Sequence, residues 1–230
     1  MGVALIRVAA YTLGLGGVGI QHVFKLSERK MSESKVKNTP VPEQENPLFE
    51  SWKRPKNKSL LEWMETRVSR KSTRQYDWNA LGWQADVNPV YRRAQTRYIG
   101  TGAAGVTQDD NVIPAEHFTF STMILPAGCE GPLHVHHDVE EAFFILRGDS
   151  IRLFLEYSGE SCELVLKERD VISVPPGVYR GLRNEGQEEA LMCVMLGANR
   201  PDLPEYPEDH PLTIAKRARV QMAETVEKKI

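Results

Sequence analysis

Residues 128–148, GCEGPLHVHHDVEEAFFILRG, constrain the fold more than any other stretch, because they combine metal-ligand side chains with two strand patterns. Successive side chains of a strand alternate between its two faces, so His134 and His136 share one face. Glu141 follows five residues later and would lie on the opposite face of an uninterrupted strand. We therefore expect a turn at residues 137–138, after which Glu141 begins a second strand that faces the first.

Two histidines and one carboxylate form a set of donors that binds Fe(II) and leaves positions on the metal open. The same nitrogen and oxygen donors also suit Mn(II), Ni(II) and Zn(II). A His-x-His pair taken alone is more often a surface strand pair without a metal. The residue types therefore leave two interpretations of His134, His136 and Glu141 open, a metal site or a surface pair.

Short apolar runs separated by turn residues recur from residue 117 to residue 196, at the spacing typical of an all-β barrel or sandwich. About eight strands are expected, which is enough for a jelly roll. The run at residues 141–147 is apolar on both faces, which indicates a strand between two layers or at a subunit contact. His117, on the incoming strand, is a candidate to line the interior.

The string Gly-x-Gly-x-x-Gly at residues 100–105 is the pattern of a dinucleotide-binding turn. That turn requires a helix directly after it, whereas residues 107–114 are polar, acidic and interrupted by proline. We interpret residues 100–105 as a loop.

The spacing of glycines, histidines and glutamate in residues 128–148 matches the first signature of the cupin superfamily. Residues 169–184, RDVISVPPGVYRGLRN, resemble the second signature through Pro175, Gly177 and Asn184. The resemblance covers less than half of the 230 residues. It implies an all-β, cupin-type double-stranded β-helix, a jelly-roll barrel, here with an N-terminal helical arm and a C-terminal helix.

The resemblance further implies that His134, His136 and Glu141 point into the barrel and bind one divalent transition metal, with Fe(II) favoured over Mn(II), Ni(II) or Zn(II). The sequence departs from the family pattern at two positions. Arg169 stands where the family usually has glycine, and Arg180 stands where it usually has a fourth ligand, a histidine.

A guanidinium group has donors and no acceptor, so Arg180 cannot replace a histidine as a metal ligand. One interpretation gives Arg180 a catalytic role, in which it holds an anionic substrate by two parallel hydrogen bonds. The other has Arg180 bonded to Glu140, Glu141 or a loop carbonyl, or leaning outward. On strand parity, His137, Glu140 and Tyr179 would face away from the interior.

The implied function is that of a metal-dependent enzyme, foremost a non-haem Fe(II) dioxygenase acting on a small aromatic or enolisable organic acid. A metal-dependent isomerase or lyase would use the same residues. A non-catalytic small-molecule-binding or regulatory barrel is the alternative from a different class.

The charge balance, 29 basic against 31 acidic residues, gives no broad footprint for nucleic acid or an anionic membrane. The three cysteines, an odd number at unrelated spacings, argue against a disulfide framework and predict a reducing, cytoplasmic location. We expect a small, anionic ligand as the partner. We also expect a homodimer, because one strand pattern is apolar on both faces.

The chain divides by composition into four segments: a flexible extension at 1–58, a helical and aromatic arm at 59–95 that packs on the barrel or a partner, the barrel at 96–198, and a proline-rich linker with a C-terminal helix at 199–230. Ser59 and Glu62 predict a capping box for a helix reaching about Arg70. In the last helix, an apolar stripe that begins at Ile214 should pack on the barrel or a partner.

The apolar run at residues 8–20 resembles a signal peptide only loosely, since no small-x-small cleavage site follows it. A run of this length is too short to span a bilayer. An upstream extension and a targeting role both stay open for residues 1–30.

Overall fold

The computed structural model describes residues 49–106 and 109–227, and describes side chains as far as residue 221. These residues belong to one compact unit, residues 45–230. The predictions for residues 8–20 and for most of the extension lie outside the described residues. No helix in the described ranges is long and apolar enough to cross a membrane.

Nine antiparallel strands in the described residues form two sheets. The strands are β1 (Ala94–Ile99), β2 (Thr119–Leu125), β3 (Glu130–His134), β4 (Glu141–Arg147), β5 (Ile151–Tyr157), β6 (Glu160–Leu166), β7 (Val171–Val174), β8 (Tyr179–Asn184) and β9 (Ala190–Leu196). One sheet has the order β1-β2-β9-β4-β7, and the other has the order β3-β8-β5-β6.

The core lies between the two sheets and follows the alternation of side chains along each strand. From β4, Phe143 and Ile145 are buried, and from β5, Ile151 and Leu153 are buried against them. Each side chain of this size contributes about 1.5–3 kcal/mol when it is fully buried. This arrangement confirms the predicted all-β jelly roll.

The described residues also contain three α-helices: α1 (Leu60–Glu65), α2 (Gly82–Val87) and α3 (Pro211–Glu227). Short 3-10 helices are found at Glu50–Trp52, Lys71–Thr73 and Pro89–Tyr91. The expected helical arm before the barrel and the expected C-terminal helix are therefore confirmed. The division of the chain at residues 58, 95 and 198 stays a prediction.

The capping box of α1 forms as expected, since Ser59 accepts from the Glu62 backbone N–H and the Glu62 carboxylate accepts from the Ser59 backbone N–H. The helix ends at Glu65 instead of reaching Arg70. The reason is local, because the Thr66 hydroxyl donates to the Trp63 carbonyl and the chain then tightens into i→i+3 hydrogen bonds.

Of the two predictions for the α3 stripe, packing on the barrel is not found in the described residues, since Ile214 and Ala218 are exposed, and packing on a partner stays a prediction. Leu212 in the first turn is fully buried instead, against Tyr91 and Tyr206. Leu212 therefore docks the first turn, and the Arg219 guanidinium, which lies over the ring of Trp83, adds a second contact further along the helix.

Segments on both sides of the strand region pair with it through isolated bridges. Asp77 pairs with Gln95 of β1, and Glu205 pairs with Val135 immediately after β3. The Val135–Glu205 bridge has two backbone hydrogen bonds, of 2.8 and 3.0 Å. These bridges attach residues from before and after the barrel to strands of the two different sheets.

Two residues of the second signature have structural roles. Asn184 is fully buried, and its side chain donates to the carbonyls of Leu125 and Glu188 and accepts from the backbone N–H of Gly186. Arg169 adopts a φ of 75°, the left-handed conformation that glycine adopts most easily.

We predict that Asn184→Ala lowers the free energy of unfolding by about 2–4 kcal/mol, because it leaves two carbonyls and one N–H without their partner. The matched control is Gln187→Ala in the same turn, where the side chain is exposed. Urea denaturation of both variants measures the difference. Equal stabilities of the two variants would contradict the role assigned to Asn184.

Candidate metal and anion site

The pairing of β3 with β8 places Arg180 directly opposite His134. Beyond β3, Val135 is buried away from the site, and the chain bends at residues 137–138 before β4 begins at Glu141. The turn that the spacing required is therefore present. It brings both histidines, Glu141 and Arg180 to one cavity between the sheets.

His134, His136 and Glu141 form a possible ligand set, because one donor atom from each lies within 4.8 Å of the others. The Nδ1 of His134 is 2.8 Å from the carbonyl oxygen of Pro132. A carbonyl can only accept, so Nδ1 carries a proton and Nε2 is the ring nitrogen that is left to bind a metal. That Nε2 lies 3.4 Å from Oε2 of Glu141.

The other two ligand-type side chains are nearly inaccessible to solvent, with exposures of 3% for His136 and 5% for Glu141. Burial lowers the pKa of His136 to about 4, so its imidazole is neutral at pH 7. Burial also opposes the ionisation of Glu141, but His134, His136 and Arg180 outweigh it and lower the pKa of the carboxyl group. Both groups are therefore in the protonation states that a metal ion needs.

Two buried atoms of these residues, Nδ1 of His136 and Oε2 of Glu141, have no hydrogen-bond partner among the described residues. Buried polar groups are rarely left without a partner, because each costs about 1–3 kcal/mol. The donor types, the close spacing and these free atoms fit a divalent metal with nitrogen and oxygen ligands.

Arg180 is fully buried and points into the cavity. Its Nε is 3.2 Å from Oε2 of Glu141, an ion-pair distance, but the N–H is not aligned for a hydrogen bond. All three guanidinium nitrogens lack hydrogen-bond partners among the described residues. Burial lowers the pKa of Arg180, whereas the charge of Glu141 raises it. The outward-leaning interpretation of Arg180 is therefore wrong, and its donors are available to an anion.

The cavity has a volume of about 160 Å³. Apolar walls come from both sheets, with Phe143 on β4 and Leu182 on β8 among them. The loop at residues 100–105 also lines the cavity, so the predicted loop lies at the site although it has no dinucleotide-binding helix.

The other residues considered from the sequence lie elsewhere. His117 is exposed and contacts the rings of Phe49 and Trp52 instead of lining the cavity. His137 is exposed and lies 3.4 Å from the Glu205 carboxylate. Glu140, also exposed, accepts a hydrogen bond from Ser173.

Sequence reasoning missed the cavity residues that flank the signatures, above all Arg93 before β1 and Tyr206 after β9, which are both buried. The sequence does contain a signal for Arg93. Arg93, Gln95 and Arg97 recur at every second position, the spacing of one strand face, and all three line the cavity. Tyr206 has no such signal, because the distant Val135–Glu205 bridge positions it.

Residues 121–196 match the family model described as a cupin domain. This match and the jelly roll show that the chain contains a cupin domain at residues 121–196. No curated protein is significantly similar to the chain.

Solved structures similar to this chain include oxalate decarboxylase from Lactobacillus farciminis in a formate complex, with 15% identity, a TM-score of 0.42 and coverage of 50% of this chain and 31% of that chain. A recombinant oxalate oxidase in complex with glycolate has 17% identity and a TM-score of 0.39, with coverage of 50% and 54%. The capsular polysaccharide assembling protein CapF from Staphylococcus aureus has 18% identity and a TM-score of 0.39, with coverage of 49% and 29%. The chain thus spans about a third to a half of the length of these structures.

The buried, neutral His136 predicts a pH dependence of stability in the metal-free protein. Its pKa is about 4 in the folded state, against 6.5 for an ordinary histidine. The unfolded chain therefore binds more protons between these values, and the free energy of unfolding falls as the pH falls from about 6.5 towards 4. Lowering the pH from 7 to 4.5 should remove about 2–3 kcal/mol through this group.

The measurement is urea denaturation of the metal-free protein and its His136→Gln variant at both pH values. The variant should lose about 2–3 kcal/mol less than the wild type, while His137→Gln, at the exposed neighbour, should behave like the wild type. An identical pH dependence in all three proteins would contradict the burial of a neutral His136.

Proposed function

We propose that this protein is a metal-dependent cupin enzyme, a non-haem Fe(II) dioxygenase acting on a small aromatic or enolisable organic acid. The observation that carries the proposal is the position of His134, His136, Glu141 and Arg180 around one cavity. Two imidazoles and one carboxylate would hold the metal. The three free donors of Arg180 would hold the acid.

In this proposal the protein's own residues prepare the site for both ligands. The Pro132 carbonyl fixes the tautomer of His134 so that Nε2 faces the metal position. The Arg180 guanidinium binds the substrate carboxylate in a fork and fixes its orientation. The walls formed by Phe143 and Leu182 exclude water, which strengthens each charge interaction in the cavity. A bound Fe(II) would supply the one-electron chemistry that dioxygen requires.

Isomerase or lyase chemistry is an alternative with the same residues, in which the metal serves as a Lewis acid. A second candidate function is a non-catalytic barrel that binds a small anion without a metal. The 3.2 Å contact between Nε of Arg180 and Oε2 of Glu141 favours it, because an ion pair there balances the carboxylate charge that the metal would otherwise neutralise. Whether the protein binds a metal therefore distinguishes the metal-dependent enzymes from the non-catalytic barrel.

We also propose that the protein is a cytoplasmic homodimer. The outer face of β4 supports a subunit contact, since Phe144 and Leu146 are only partly buried there and Met195 on the adjacent β9 is 40% exposed. Cys129, Cys162 and Cys193 are all free thiols, in keeping with a reducing compartment.

We predict about one equivalent of a divalent transition metal in protein purified without a chelating tag, or after reconstitution with Fe(II) under anaerobic conditions. His136→Gln should reduce the metal content at least about tenfold, because it removes one of three ligands. Elemental analysis measures the content, and His137→Gln is the matched control because its side chain is exposed. Less than about a tenth of an equivalent in the wild type after reconstitution would exclude the enzyme and favour the metal-free barrel.

For Arg180, we predict that Arg180→Met weakens the binding of a small organic acid by about 10- to 100-fold, because it removes a charged donor fork. Metal content should stay near one equivalent, since Arg180 is not a ligand. Calorimetric titration of metal-loaded protein with benzoate measures the change, and Arg183→Met, on the same strand and exposed, is the control. Loss of metal with unchanged benzoate affinity would contradict the anion-binding role.

A further inference from the structure

The cavity contains a second buried guanidinium, that of Arg93, which the proposed reaction does not use. Arg93 is 8% exposed and lines the same cavity as Arg180. Its Nη1 donates to the carbonyl oxygen of Tyr91 at 3.0 Å. In the described part of the chain, no carboxylate lies within 4.0 Å of the Arg93 guanidinium.

Burial lowers the pKa of Arg93 to about 10, so the group still carries its charge at pH 7. The field of Glu141 acts in the opposite direction and raises this pKa, so Arg93 senses the charge of the metal-ligand site. A buried cation without a partner is strongly destabilising, and it is retained where a ligand or another group neutralises it.

A neutral donor, the hydroxyl of Tyr206, lines the same cavity as Arg93, and the two groups affect each other's pKa. The Tyr206 oxygen accepts a hydrogen bond of 2.8 Å from Nε2 of Gln84, so its own proton is free to donate elsewhere. Burial raises the pKa of Tyr206 to about 12, which keeps that proton in place at neutral pH. Arg93 and Tyr206 thus form a donor pair, which we call the distal pair.

The charges around the cavity indicate how many anionic groups it can take. Arg97 is neutralised by Asp77 and Asp109, each at 3.1 Å. Arg93 and Arg180 remain as buried cations, and a metal ion would take over the charge of Glu141. With Glu141 held by a metal, two anionic groups in the cavity would neutralise these two guanidinium groups.

We propose that the cavity binds a small organic dicarboxylate, with one carboxylate on Arg180 at the metal-ligand site and the second on the distal pair. The position of the first carboxylate rests on the proposed function. The volume of about 160 Å³ limits the length of the ligand, because a cavity of about 150 Å³ accommodates benzene. A diacid with a short carbon chain meets both requirements.

The test is calorimetric titration, with and without one equivalent of Mn(II), of the full-length protein with succinate, glutarate and adipate. The probes for comparison are butyrate, pentanoate and hexanoate, which have the same chain lengths and only one carboxylate. In the wild type, the best diacid should bind at least about tenfold more tightly than its monoacid, because a hydrogen-bonded charge pair contributes on this scale.

Arg93→Met should weaken the binding of that diacid by about 10- to 100-fold and leave the monoacid unchanged. Arg92→Met is the matched control, since Arg92 is the adjacent residue, is exposed and lies over the ring of Trp78. Tyr206→Phe removes only the hydroxyl and should weaken diacid binding by about 3- to 10-fold. This second variant decides the outcome if Arg93→Met does not fold.

Diacids that bind no more tightly than monoacids would overturn the proposal, and so would an equal loss for both ligands in the variants. The titrations with and without Mn(II) separate this outcome from failure of the proposed function. A diacid preference without any Mn(II) binding leaves the dicarboxylate site standing and removes the metal enzyme. Mn(II) binding without a diacid preference overturns the dicarboxylate site and leaves the metal enzyme standing.

Discussion

The structure of the site depends on one interaction, the approach of the Arg180 guanidinium to the Glu141 carboxylate inside an apolar sandwich. Both groups are nearly inaccessible to solvent, and desolvation of two such charges costs several kcal/mol per ion. Their contact at 3.2 Å offsets part of that cost but leaves the donors of Arg180 without aligned acceptors. A metal that takes Glu141 and an acid that takes Arg180 would satisfy both groups.

The segments that flank the barrel line the cavity and supply a second group of polar side chains to it. Glu205 pairs with Val135, the residue between the two histidines, and so brings Tyr206 to the cavity. On the other side, the bridge between Asp77 and Gln95 fixes the segment that contains Arg93. The cupin domain at residues 121–196 thus supplies the proposed metal ligands, while the surrounding chain supplies the proposed distal donors.

The fold could be predicted largely from the sequence, because the alternation of apolar residues reports which strand faces are buried. The bounds of β4 and β9, and the turn between His136 and Glu141, follow from that local pattern. The distal pair could not be predicted in the same way, since pairing across 70 residues of chain, between Val135 and Glu205, positions Tyr206. The docking of α3 by Leu212 likewise depends on long-range contacts with Tyr91 and Tyr206.

The central claim is that His134, His136 and Glu141 hold one metal beside an arginine that does not bind it. Anomalous diffraction from crystals of the protein grown with Mn(II) tests this claim most directly. We expect one anomalous peak within about 2.5 Å of a nitrogen of each histidine and an oxygen of Glu141, with Arg180 turned towards the open side of the metal. A map without a peak at these residues, in which Glu141 stays paired with Arg180, would contradict the account.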